Sequence, residues 1–151
     1  MSFENLKAII EYAIEKEIEA EQFYTEAAAS ETMSGAKEML QEFAGEEKKH
    51  VKMLENMDST GFEDYKFEWI TDIKRSDYVS ELTFSKGMGY QEILMMAMKR
   101  EEKALQLYNY LQDNAEEEEH KRLFKILCQE EAKHKLALET MYDDYMAEMG
   151  D

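Results

Sequence analysis

The chain repeats itself. A shift of 84 residues lays Ala13 on Ala97, Glu17 on Glu101, Ala20 on Ala104, Gln22 on Gln106 and Tyr24 on Tyr108. The same shift lays Glu46 on Glu130, Glu47 on Glu131, Lys49 on Lys133, His50 on His134, Leu54 on Leu138 and Met57 on Met141. An internal repeat restricts a fold more than any composition does, because one pattern of side chains must be presented twice. Two units related in this way are expected to pack about a pseudo-twofold axis.

Each copy reads as a pair of helices. Apolar or small residues recur every three or four positions at Leu6, Ile10, Ala13, Ala20, Tyr24 and Ala27, and again at Ala36, Leu40, Phe43, Leu54 and Met57. The second copy has Leu94, Ala97, Ala104, Tyr108 and Leu111, then Leu127, Leu138, Met141 and Tyr145. This is the stripe of a helix that faces a core. The chain contains no proline and six glycines, so little interrupts such helices. The spacing predicts helices over about 3–30, 34–57, 89–114 and 116–149, with Ser34 as an N-cap. The loop inside each pair is short, which makes each pair an antiparallel hairpin. The expected architecture is all-α: one domain over 1–151, with a hairpin at 3–57, a long crossover at 58–88 and a second hairpin at 89–149. The aromatics of the crossover, Trp69 among them, are expected to pin it to the helices.

Charged residues fill the gaps in these stripes. The first helix reads Ala13, Glu17, Ala20, Tyr24 and the second Phe43, Glu47, His50, Leu54. The third reads Ala97, Glu101, Ala104, Tyr108 and the fourth Leu127, Glu131, His134, Leu138. Every helix thus puts a Glu on its core face, and two add a His three residues later, on the same face. Burying a lone carboxylate costs at least several kcal/mol, and converging carboxylates repel as well. A pair of divalent cations would supply the missing positive charge. The heights agree, since Glu17 pairs with Glu47 across the first turn and Glu101 with Glu131 across the second. Each lies roughly 22 Å along the helix from its loop, at about 1.5 Å per residue. Two Glu-x-x-His helices with a lone Glu from each of the others form the ligand set of di-iron and di-manganese bundles. Mixed carboxylate and imidazole donors suit iron, manganese or zinc.

Glu-x-x-His alone carries little weight. Glu117 and His120 match it too, inside the acidic run Glu116–Glu119, yet position 120 faces Gln112 and no carboxylate. His120 is therefore read as a helix-end residue. Glu15, Glu19, Glu21, Glu46, Glu102 and Glu130 fall off the stripes and are expected to be solvated. Tyr24 and Tyr108 follow their Glu by seven residues on the same face, where each is either a core aromatic or a donor to a ligand carboxylate. Cys128, beside Leu127, is expected to be a small buried residue.

A net charge of −17 argues against a nucleic-acid partner or an anionic membrane surface. No run approaches 18 apolar residues, and the N-terminus lacks the pattern of a signal peptide, so the cytoplasm is the expected location. One cysteine excludes an internal disulfide and a Cys-x-x-Cys knuckle.

With Glu17-x-x-Ala20-x-x-x-Tyr24, Glu47-x-x-His50, Glu101-x-x-Ala104-x-x-x-Tyr108 and Glu131-x-x-His134 in this order, the sequence resembles the rubrerythrin-like branch of the ferritin-like superfamily. The resemblance implies a ferritin-like four-helix bundle in which Glu17, Glu47, His50, Glu101, Glu131 and His134 bind two iron ions, with manganese or zinc as alternatives. It also implies a non-haem di-iron oxidoreductase that reduces peroxide or dioxygen. Electrons would come from a separate, rubredoxin-like donor, because a single cysteine leaves no four-cysteine iron site, and a homodimer is expected by analogy. Rubrerythrins place a further carboxylate where this chain has Ala104, which leaves a symmetric six-residue site. Two other readings stand beside this one: a ferroxidase or iron-handling protein, and a non-catalytic metal-binding bundle.

Overall fold

The computed structural model describes residues 6–30, 34–57 and 89–149. Four helices make up the described chain: α1 (Leu6–Ser30), α2 (Ser34–Glu55), α3 (Tyr90–Asn114) and α4 (Glu118–Met149). No strand occurs among the described residues. The chain divides into two compact units, the first carrying α1 and α2 and the second α3 and α4. The crossover expected over 58–88, Trp69 included, lies outside the described residues, as does the side chain of Ser34.

In the first unit, α1 buries Leu6, Ile9, Ile10, Tyr12, Ala13, Phe23, Tyr24, Ala27 and Ala28, while α2 buries Ala36, Leu40, Phe43, Val51 and Leu54. Tyr24 meets Phe43 of α2 edge to face, with ring centroids 5.4 Å apart and an interplanar angle of 72°. That is the favoured geometry of an aromatic pair, and it locks the two helices in phase. In the second unit, Ile93, Leu94, Ala97, Leu107, Tyr108 and Leu111 of α3 and Phe124, Leu127 and Leu138 of α4 are buried. Tyr90 and Tyr145 close its far end edge to face, with centroids 5.0 Å apart. Beside them Gln91 donates Nε2–H to the Tyr142 hydroxyl at 3.4 Å.

The helix ends follow from local chemistry. Gly89 sits at the N-cap of α3 in extended conformation, φ −74° and ψ 159°, and offers no side chain to the first turn. Ala115 leaves α3 in an extended conformation, and its N–H donates to the Leu111 carbonyl at 2.9 Å. α4 begins at Glu118, two residues later than the periodicity suggests, with the Glu117 carbonyl accepting from the Lys121 N–H at 3.0 Å. Glu118 and Glu119 then occupy the first turn, where negative charge complements the helix dipole.

Burial repeats with the sequence. At 84-residue spacing, Ile9 and Ile93, Ala13 and Ala97, Tyr24 and Tyr108, Phe43 and Leu127, and Leu54 and Leu138 are all buried. Exposed positions match as well, from Glu15 and Lys99 through Gln22 and Gln106 to Lys49 and Lys133. Each unit therefore holds its functional side chains in the same phase.

Candidate metal centre

On α1, Glu17 lies one turn after Ala13 and two turns before Tyr24, so the core stripe carries its carboxylate inward. On α2, Glu47 follows Phe43 by one turn, and His50 lies between it and Leu54. The three side chains meet. His50 Nδ1 is 3.6 Å from Glu17 Oε2 and 3.7 Å from Glu47 Oε2. In the second unit, His134 Nδ1 of α4 stands 3.5 Å from Glu101 Oε1 of α3, and Glu131 lies within the same cluster. In both triads one ligand atom from each residue lies within 4.8 Å of the others.

Burial makes these clusters chemically demanding. The six residues are 0–3% exposed, and four of them are carboxylates. Buried carboxylates need a compensating charge, and one imidazole per pair of Glu supplies at most one. The separations are also informative. At 3.5–3.7 Å, nitrogen and oxygen stand beyond hydrogen-bonding distance. Two donors bound about 2.1 Å from one cation lie about 3.0–3.4 Å apart at octahedral or tetrahedral angles. The triads are therefore spaced nearly as ligands round a common ion. Their donor set of hard carboxylate oxygens and borderline imidazole nitrogens suits iron, manganese or zinc.

The remaining sequence candidates separate clearly. His120 is buried but pairs with the exposed Glu117, Nε2 to Oε2 at 3.5 Å, and belongs to no metal-sized cluster among the described residues. Glu15 and Glu102 are exposed, and Glu19, Glu21, Glu46 and Glu130 are half-buried. Tyr24 and Tyr108 are fully buried. Cys128 corrects its expectation, because it is only half-buried and its Sγ–H donates to Asn109 Oδ1 at 3.1 Å. One residue beyond Leu127 is a 100° turn away from the core stripe, which carries the thiol to its edge. Partial burial, and then the nearby Asp113 charge, push the thiol pKa up. No His, Cys, Asp or Glu beyond these six joins the two clusters among the described residues.

The family model for rubrerythrin matches residues 8–142, a span that includes all six of these side chains. The chain belongs to the rubrerythrin family. Among solved structures, this rubrerythrin-family chain is similar to a hypothetical protein from Pyrococcus furiosus at 29% identity, with a TM-score of 0.73. That match covers 89% of this chain and 86% of the other, and with the four helices it identifies the fold as an all-α, ferritin-like helical bundle. None of the curated proteins matches the chain. Membership and the buried carboxylate–histidine clusters together mark the rubrerythrin-like chain as metal-binding. No helix among the described residues is long and apolar enough to cross a membrane.

Proposed function

We propose that the protein is a non-haem di-iron oxidoreductase that reduces peroxide or dioxygen with electrons from a separate donor, and that Glu17, Glu47, His50, Glu101, Glu131 and His134 hold the metals in one domain. The observation that carries this reading is the duplicated triad: two carboxylates and one imidazole, all buried, in each half. A pair of iron ions supplies, when bound, the two electrons that convert hydrogen peroxide and two protons into two waters.

The chain's own residues prepare that chemistry in four ways. The carboxylates carry the charge that selects a divalent cation. The helices hold the donors before any ion arrives, so little side-chain freedom is lost on binding. Apolar neighbours such as Phe43, Leu54, Leu127 and Leu138 shield each triad from bulk water, which strengthens every charge interaction inside. Tyr24 and Tyr108 lie seven residues after Glu17 and Glu101 on the same faces, where a phenol can donate to a ligand carboxylate and fix its orientation.

Metal analysis of protein purified from its own host, followed by anaerobic reduction and stopped-flow mixing with peroxide, tests the proposal. We expect two irons per chain, reoxidised far faster than ferrous iron in buffer. Reoxidation at the rate of free ferrous iron refutes the activity. A chain that retains zinc or manganese without redox cycling supports a non-catalytic metal-binding bundle instead. Size-exclusion chromatography separates the expected homodimer from a storage shell.

A further inference from the structure

Single exposed apolar side chains are ordinary on a protein surface, but here the repeat supplies a control for them. Among the described residues, Met95, Ile126 and Leu136 of the second unit are 42%, 37% and 65% exposed. At the same places on the first hairpin, 84 positions earlier, stand Glu11, Glu42 and Lys52, all exposed and charged. The reverse occurs once, where exposed Ile18 answers to Glu102. Charge serves solvation at these positions in the first hairpin. The second hairpin gives it up, and contact with another surface is what makes that exchange favourable.

The charges on that face are arranged to meet a copy of themselves. Asn109 contacts Cys128, Glu101 contacts His134 and Gln91 contacts Tyr142, which fixes the antiparallel register of α3 and α4. In that register Glu102 stands level with Lys133, Asp113 with Arg122 and Gln106 with Gln129, and all six are exposed. Leu136 stands level with Lys99 and within about one helical turn of Met95. Neighbouring helices lie about 8–10 Å apart, so level side chains that point away from the core meet only when another hairpin covers them. A twofold axis parallel to the helices lays α3 of one copy over α4 of the other at unchanged height. Glu102 then lies over Lys133 and Asp113 over Arg122, twice each, while Leu136 lies against Met95 and the Lys99 stem. Lys133 is held only by Glu130 of its own helix, Nζ to Oε1 at 3.8 Å, an exposed pair that contributes little. At the open end Glu92 meets a like charge, Asp143.

We infer that the outer face of the α3–α4 hairpin is a self-association surface, on which a second copy of this chain packs about that axis, α3 over α4 and α4 over α3. A contact of this kind uses the same patch on both copies and is closed, so it gives a dimer and no filament. From Met95 to Asp113 the strip is about 27 Å long, and two helices side by side are about 20 Å wide. That is roughly 500 Å² before side-chain relief, of the order of the ~800 Å² that each partner of a stable complex buries. The inference does not depend on the metal reading.

Sedimentation equilibrium on the full chain tests it, and a dimer is expected. Leu136→Lys and Met95→Glu copy the first hairpin's residues into the second. Each should raise the dimer dissociation constant at least about tenfold, because the symmetry buries each side chain twice. Ile18→Glu, on the first unit, should leave it unchanged. Glu102→Lys and Lys133→Glu should each weaken the dimer, and the two together should restore it. A second arm reads proximity, so it decides the matter even where one of these variants fails to fold. In a Cys128→Ala background, Glu102→Cys chains mixed with Lys133→Cys chains should form a mixed disulfide in air faster than either forms its own. A monomeric parent, a dimer indifferent to Leu136→Lys and Met95→Glu, or a double charge swap that stays weak overturns the inference. So does Lys133→Cys protein that crosslinks with itself fastest, since that would put α4 over α4.

Discussion

Glu47 concentrates the tension in this protein. Its side chain is 0% exposed and shares its surroundings with Glu17 and His50. Replacing a buried charge by a neutral isostere is often stabilising when no cation compensates it. Glu47→Gln should therefore raise the thermal midpoint of the metal-free protein in chelator, by about 1 kcal/mol or more of stability, and remove most of the stabilisation by added metal. If the variant melts lower than the parent in chelator, the carboxylates are compensated within the protein and the charge argument fails. Cys128 permits a separate prediction. Its raised pKa leaves less thiolate near neutrality than an ordinary cysteine has, so disulfide reagents at pH 8 should label it more slowly than a free cysteine. The gap should narrow as the pH rises past the ordinary cysteine value. Labelling at the free-cysteine rate throughout contradicts the assignment.

At the scale of the helix, Gly45 is an evident weak point. It lies in the interior of α2, exposed, and a Cβ built there meets nothing within 4 Å. Its repeat partner is Gln129, so a side chain is accommodated at the matching position of α4. Gly45→Ala should stabilise the protein by about 0.5–1 kcal/mol in a urea titration, through the cost of ordering glycine in a helix. An unchanged midpoint would mean that α2 is already partly ordered in the unfolded chain.

The helices were legible in the sequence because stripe, missing prolines and repeat all agree, and the Glu and His positions followed from the phase of the stripes. Ala20 and Ala104 are half-buried rather than fully buried, and the stripe is wider than a single row. Ile9, Tyr12, Phe23, Ile93 and Leu107 form a second buried row that strict three-four stepping passes over. Cys128 was misplaced for the same reason: a stripe defines its centre sharply and its edges poorly. The start of α4 lies two residues later than expected because the run Glu116–Glu119 contains no Ser, Thr, Asp or Asn to mark an N-cap, so periodicity alone leaves that boundary open by a residue or two.

For the whole molecule, a net charge of −17 sets the response to ions. Self-repulsion destabilises a compact chain, and simple salt screens it over a Debye length of about 10 Å at 0.1 M. Raising sodium chloride from low values should lift the metal-free midpoint gradually. A divalent metal that occupies the triads should act at far lower concentration, adding about 4 kcal/mol when present at a thousand times its dissociation constant. Thermal melts against manganese and against sodium chloride at matched ionic strength separate the two effects. Curves that coincide would show screening alone.

The matched pairs have a consequence for how such a protein changes over generations. If two identical hairpins made up a site, any mutation would strike both copies at once, and no substitution could serve one side only. Joined in one chain, the copies inherit separately. Val51 and Lys135, or Tyr12 and Met96, can part company while Glu47 and Glu131 stay alike. Covalent linkage thus lets a symmetry persist in the buried Glu and His positions and lapse beside them, one codon at a time.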